Sequence, residues 1–251
     1  LLQMKSSTGS LPYSKNRITR YTNLNVKYMK QIFLKKEGNP NLLLFFAGWG
    51  ADEKLFDYPI CEGYDCLLCF DYRETTFDDT LLNGYTSIRL VAWSMGVWMA
   101  AYTLSGLALT YENRLAINGT LYPIHAEKGI PPAVFQGTLS RFSAVTLSKF
   151  RRRMCGTTEG VKQFLSHEPY RTLEELQEEL ACLEKRILES ENILFNWDKA
   201  IIGTNDYIFP ASNQQNAWQD TPTTLLDIAH YDEKLFADCL AGKEDIWTKN
   251  L

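Results

Sequence analysis

The chain is short of histidine, of uninterrupted apolar sequence and of positive charge, and each shortage narrows what it can do. Its three histidines, His125, His167 and His230, leave no room for a histidine-rich metal site and make any candidate base easy to enumerate. No run approaches the ~20 apolar residues that a membrane-spanning helix requires. Residues 1–28 are polar and rich in Ser, Thr, Asn, Tyr and basic side chains, without the apolar stretch of a secretory signal. The expected setting is therefore cytoplasmic, without a membrane partner. Lys plus Arg number 26 against 30 Asp plus Glu, a net charge of -4, which argues against a nucleic-acid binder. Six cysteines (Cys61, Cys66, Cys69, Cys155, Cys182 and Cys239) show neither a second C-x-x-C nor a histidine set to accompany Cys66 and Cys69. Buried, reduced thiols are the expectation, and no metal site.

What is present is enough apolar sequence for a full core: 45% hydrophobic and 13% aromatic over 251 residues. Residues 1–28 read as a polar extension or linker, and residues 29–251 as one domain. Within it, 41–46, 65–70, 88–93, 114–118, 200–203 and 223–228 are apolar runs of the kind found in strands buried on both faces. Helical patterns separate them, which implies an α/β fold with a mostly parallel central sheet flanked by helices. The pattern changes between about 120 and 199. There lie Arg141 to Arg153, a helical segment around Val161 to Leu165, and a charged helix opening at Thr172 and running to about Leu188. Thr172 and Glu175 have the spacing of a capping box. This stretch reads as a helical cap inserted over the carboxyl edge of the sheet.

The chemistry is carried by Ala92-Trp93-Ser94-Met95-Gly96. An apolar strand feeding directly into a helix leaves the serine on a strained turn at the carboxyl end of the sheet, and strand and helix cross so closely that small residues are needed on either side. Ala92 stands where a glycine is usual. A serine nucleophile needs a base, and His230, directly after the last strand, has the required position; His125 and His167 read as structural. The base needs an orienting acid, and Asp206 follows the fifth apolar run by three residues. Asp198 and Asp227 are weaker candidates, because one precedes a strand and the other lies within one. Serine, acid and histidine in the order Ser94, Asp206, His230 is the chain order of one hydrolase class. Oxyanion donors are expected from the backbone N–H of Met95 and of Trp49, where Gly48 and Gly50 allow a tight turn. The Trp49 indole is expected to wall an acyl channel.

These segments, Phe46-Ala47-Gly48-Trp49-Gly50, Phe70-Asp71-Tyr72-Arg73, Ala92 to Gly96, Ile117-Asn118-Gly119-Thr120, Gly129-Ile130-Pro131-Pro132, Phe135 to Leu139, Gly203 to Pro210 and Ala229-His230-Tyr231, resemble the BioG-type pimeloyl-[acyl-carrier protein] methyl ester esterases. The resemblance spans about 29–251. It implies the α/β-hydrolase fold, Ser94, Asp206 and His230 as triad, and Trp49 and Met95 as oxyanion donors, with no metal or redox cofactor. It further implies hydrolysis of the methyl ester of a pimeloyl chain on acyl-carrier protein, in biotin synthesis. The methyltransferase that forms the ester, to which some relatives are fused, is the expected functional companion. Acyl-carrier proteins are acidic, and Lys149, Arg151, Arg152 and Arg153 form a basic cluster suited to dock one, unless they pair with the acidic helix after Thr172. A general carboxylesterase or acyl thioesterase would share every catalytic residue. A silent binding scaffold of the same fold is the remaining alternative.

Overall fold

The computed structural model describes residues 27–248; most of the expected extension, 1–26, lies outside the described residues. A seven-stranded sheet forms the centre, in the order β1-β3-β2-β4-β5-β6-β7. Its strands are β1 (Lys30–Lys35), β2 (Asn41–Phe46), β3 (Tyr64–Phe70), β4 (Ser87–Trp93), β5 (Tyr111–Ile117), β6 (Lys199–Gly203) and β7 (Thr223–Leu226). β1 runs antiparallel to β3, and every other pairing is parallel. The apolar runs are explained by burial on both faces: Leu42 to Phe46 and Leu67 to Cys69 are all completely buried.

The helices are α1 (Met95–Leu104), α2 (Pro132–Leu139), α3 (Ala144–Cys155), α4 (Thr158–Ser166), α5 (Leu173–Glu189), α6 (Ala211–Ala217), α7 (Glu233–Leu240) and α8 (Glu244–Trp247). α1 is apolar all round, and its eight buried residues explain why it shows no amphipathic period. α2 to α5 occupy the insertion between β5 and β6. Each of α3, α4 and α5 begins at a serine or threonine whose side chain accepts from a backbone N–H of the first turn, and in α5 Thr172 and Glu175 cap each other reciprocally. Among the described residues, no helix is long and apolar enough to cross a membrane.

Two elements are not apparent in the sequence pattern. β1 carries lysines at both ends and only partly buried positions, as suits an edge strand. α2 is too short to display a period. Several expected boundaries shift: β3, β4 and β6 each begin one residue earlier, β5 begins at Tyr111 and ends at Ile117, and β7 ends at Leu226, so Asp227 lies just beyond the strand rather than inside it.

Candidate active site

Ser94 lies between β4 and α1 with φ 59° and ψ -128°, a left-handed region that costs a non-glycine residue about 1–3 kcal/mol. The turn holds because its surroundings allow no other. A Cβ on Gly96 would lie 2.3 Å from the Phe46 carbonyl oxygen and 2.4 Å from that of Ala47, and one on Gly119 would lie 2.3 Å from the Ser94 carbonyl oxygen. Ala92 is completely buried in β4, opposite Phe46 on one side and Ala116 on the other, where a methyl group fits. A serine turned out at the carboxyl end of an open sheet would be exposed, but here Ser94 is only 5% exposed beneath the inserted helices.

His230 Nε2 lies 2.9 Å from Ser94 Oγ, and His230 Nδ1 lies 2.8 Å from Asp206 Oδ2. A carboxylate can only accept, so the proton belongs on Nδ1, leaving Nε2 to receive the serine hydroxyl proton. Asp206 is locked as well: Oδ1 accepts from the N–H groups of Ile208 (2.8 Å) and Phe209 (2.9 Å), and Oδ2 also accepts from Gln214 Nε2 (2.9 Å). All three members of this relay are buried. The imidazole stacks on Phe209, with ring planes 4° apart. Its own carbonyl accepts from Trp93 Nε1 (2.9 Å) and from Asn118 Nδ2 (3.0 Å).

In the sequence Asn118 stands only as a member of the segment Ile117-Asn118-Gly119-Thr120, with no role attached to it. In the structure it is a clamp at φ 46°: Oδ1 accepts from Gly203 N–H (2.7 Å), while Nδ2 donates to the Ala229 and His230 carbonyls (both 3.0 Å). It thereby ties the end of β5 to the end of β6 and to the histidine loop. An asparagine tolerant of positive φ at a strand end is the signal that could have revealed it.

The other candidates are occupied elsewhere. Asp198 pairs with Arg114 (2.9 Å), and Asp227 accepts from Asn205 Nδ2 (2.6 Å). His125 Nδ1 accepts from Glu127 and Lys128 N–H (both 3.1 Å) within a turn, and His167 lies beside Tyr58 and Ser166.

Above the relay lies a cleft lined by Ser94, Met95, Trp49 and His230. α2 contributes Val134, Phe135 and Thr138, α3 contributes Phe150, Arg153 and Met154, and α5 contributes Leu180. The lining is predominantly apolar, with Thr138, Arg153 and Tyr207 as its polar side chains beside the relay. The backbone N–H groups of Trp49 and Met95 have no hydrogen-bond acceptor among the described residues. The Trp49 indole does border the cleft, packed edge-on against Phe142 and Phe150, and its Nε1 donates to the Leu176 carbonyl (2.8 Å).

The basic cluster divides. Arg151 pairs with Glu168 and lies over the Phe164 ring, whereas Lys149, Arg152 and Arg153 are exposed on α3 without an ion-pair partner among the described residues. None of the four pairs with α5. Its carboxylates bind other arginines: Arg73 reaches Glu175 (3.0 Å) and Glu178 (3.3 Å), and Arg171 reaches Glu179 (3.1 Å). Asp71, at φ 58°, lies between them, 2.7 Å from Arg73 and 3.1 Å from Arg171. Burial pushes the Glu179 carboxyl up to about 7 despite the adjacent Arg171 guanidinium. Sequence reasoning missed this network, although Glu179 interrupts the buried stripe of Leu176, Leu180 and Leu183 on α5.

With this geometry in view, the relationships of the chain are informative. It is 47% identical over 210 residues to a malonyl-[acyl-carrier protein] O-methyltransferase from Bacteroides fragilis, covering 83% of this chain but only 42% of that protein. The crystal structure of BioG from Haemophilus influenzae superposes with a TM-score of 0.79 at 33% identity, covering 88% of this chain and all of that one. A lipase-esterase related protein from Clostridium acetobutylicum shares the fold at 15% identity, with a TM-score of 0.60 over 88% of this chain and all of that one. The family model described as pimeloyl-ACP methyl esterase BioG matches residues 29–240, so the chain belongs to the BioG family of α/β-hydrolases.

Proposed function

We propose that this protein is a serine esterase that hydrolyses the methyl ester of pimeloyl-[acyl-carrier protein], releasing methanol and a free carboxylate. The observation that carries the reading is the continuous relay from Asp206 through His230 to Ser94, buried at the base of an apolar cleft. His230 Nε2 takes the proton from Ser94 Oγ as the oxygen attacks the ester carbonyl carbon. The tetrahedral oxyanion accepts hydrogen bonds from Trp49 and Met95 N–H. His230 then returns the proton to the departing methoxide, giving methanol and an acyl-serine. Water, deprotonated by the same imidazole, attacks the acyl-serine and frees the acid. Asp206 holds the ring in the required tautomer and stabilises its charged form.

The inserted helices α2 to α5 act as a cap, and their apolar lining suits the methylene chain of a pimeloyl group. Lys149, Arg152 and Arg153 on α3 face solvent and offer a docking patch for the acidic carrier, with Arg151 held in place by Glu168. The similarity to part of an acyl-carrier-protein methyltransferase supports a partnership with ester-forming chemistry; the setting proposed for it is a cytoplasmic pathway leading to biotin.

The test is to incubate the protein with pimeloyl-[acyl-carrier protein] methyl ester and read the carrier by mass spectrometry. Loss of the methyl group with the chain still on the carrier supports the proposal. Release of the chain from the carrier would mark a thioesterase instead. Cleavage of small esters only would mark a general carboxylesterase, and no turnover with no fluorophosphonate labelling of Ser94 would leave a binding scaffold.

A further inference from the structure

The oxyanion loop is bound to the inserted region at several points. Trp49 Nε1 donates to the Leu176 carbonyl (2.8 Å), and Gly50 N–H points at Glu179 Oε2 (3.4 Å). Arg171 Nη1 donates to the Ala51 carbonyl (3.2 Å), and Asp52 accepts from Tyr170 N–H (2.6 Å). Glu179 is the most unusual member. It is completely buried, and its other oxygen accepts from Tyr72 N–H (3.0 Å) in the loop after β3. A buried carboxylate costs several kcal/mol to desolvate, and apolar side chains in place of the whole Arg171–Glu179 pair would commonly be as stable or more so. Stability alone therefore does not explain a glutamate at a core position of α5.

We infer that Glu179 is a positioning residue for the oxyanion hole: held by Arg171, its carboxylate fixes the Trp49–Gly50 peptide, so that α5 sets the direction of Trp49 N–H. This rests on the reading of Ser94 as nucleophile and Trp49 as oxyanion donor. Both ends of Trp49 are restrained by one helix, the indole through Leu176 and the following peptide through Glu179. A Cβ at Gly50 would meet Leu176 Cδ2 at 3.0 Å, so the loop has little slack toward the helix. Leu180, the next residue, lines the cleft over Ser94. α5 thus faces the acyl chain with Leu180 and holds the oxyanion donor with Glu179. Seating of the chain and alignment of the donor become properties of a single element.

The experiment uses Glu179→Gln, which keeps one acceptor oxygen but cannot serve Gly50 and Tyr72 with two, and removes the charge facing Arg171. Complete loss of an oxyanion donor costs about 100- to 1,000-fold in kcat, so a misaligned one is expected to cost about tenfold, with KM for p-nitrophenyl acetate unchanged. Affinity for a trifluoromethyl ketone, which forms a tetrahedral adduct on the serine, should fall by the same factor. Glu178→Gln, which removes only an outer contact to Arg73, should behave as wild type. Fluorophosphonate labelling that fails in the wild type would refute the nucleophile itself. Ser94 labelling with an unchanged kcat in Glu179→Gln, or with a loss confined to KM, would refute the positioning role alone. If Glu179→Gln does not fold, Glu179→Asp decides, because it keeps the charge facing Arg171 but shortens the reach to the Gly50 N–H: lowered kcat with unchanged KM supports the inference and unchanged kcat overturns it.

Discussion

The crossing of β4 and α1 offers the sharpest test of how Ser94 is held. Gly96→Ala adds one carbon that would sit 2.3 Å and 2.4 Å from the carbonyl oxygens of Phe46 and Ala47. Carbon and carbonyl oxygen in ordinary contact are about 3.3 Å apart, so about 1 Å of relative movement is required. Both clashing atoms are backbone, and neither can rotate away. Overpacking of this kind costs about 1–3 kcal/mol, which in a domain of this size lowers Tm by about 2–12 °C. The kinetic loss should be larger in effect. Phe46 and Ala47 lead directly into the Gly48-Trp49 loop, so separating them from α1 draws the N–H groups proposed as oxyanion donors away from Ser94. Misplacement by about 1 Å costs about 100-fold in rate. Ala92→Gly, two residues before the serine, is the counter-experiment: it removes a buried methyl group without adding a clash and should cost about 1 kcal/mol of strand stability, with kcat close to wild type. Steady-state kinetics on a small soluble ester and thermal melting measure both. A folded Gly96→Ala enzyme with wild-type kcat, or an inactive Ala92→Gly, would refute the account of the elbow.

Other outcomes follow from the same geometry. Asp206→Asn should lower kcat by about 10,000-fold with little change in Tm, since the amide can still meet part of the hydrogen-bond set but favours the wrong imidazole tautomer; pH-independent activity above a hundredth of wild type would contradict this. Lys149→Glu combined with Arg152→Glu should raise KM for the carrier-bound ester far more than for a small ester, and added salt should shrink the wild-type advantage; equal effects on both substrates would remove the docking role. Asp65 is buried at the start of β3, where burial raises its carboxyl pKa but hydrogen bonds from Glu37, Asn39 and Tyr85 outweigh this and leave it at about 2. A lowered pKa means its contribution to stability is present above the ordinary value of 3.8 and lost as pH falls toward 2, so wild type should lose more Tm than Asp65→Asn over that interval.

The central strands were legible because a parallel sheet buried on both faces leaves almost no choice of residue: Leu42 to Phe46 cannot be read as anything solvated. β1 was not, because an edge strand is half-wet and keeps lysines that a propensity argument counts against it. Asp206 and His230 were legible for a different reason. Each follows the end of a parallel strand, and strand ends on one edge of such a sheet converge, so sequence order alone places them near Ser94. Chain order says nothing, however, about what holds a loop after it leaves the strand.

That second task falls to residues whose partners are distant in sequence. Asn118 joins three loops through one amide, and nothing in Ile117-Asn118-Gly119 announces Gly203, Ala229 or His230 as its partners. Gln214 on α6 supports Asp206 in the same way. Glu179 gave a local signal, a charge within a buried stripe, but helical periodicity assigns such a residue to a solvated flank unless its partners are known. Its partners, Gly50, Tyr72 and Arg171, lie on two core loops and at the foot of its own helix. The reacting atoms of this site are therefore encoded by position along the sheet. Their alignment depends on buried polar contacts that span the core and the inserted helices, so substitutions at Asn118, Gln214 or Glu179 should alter rate without touching a group that reacts.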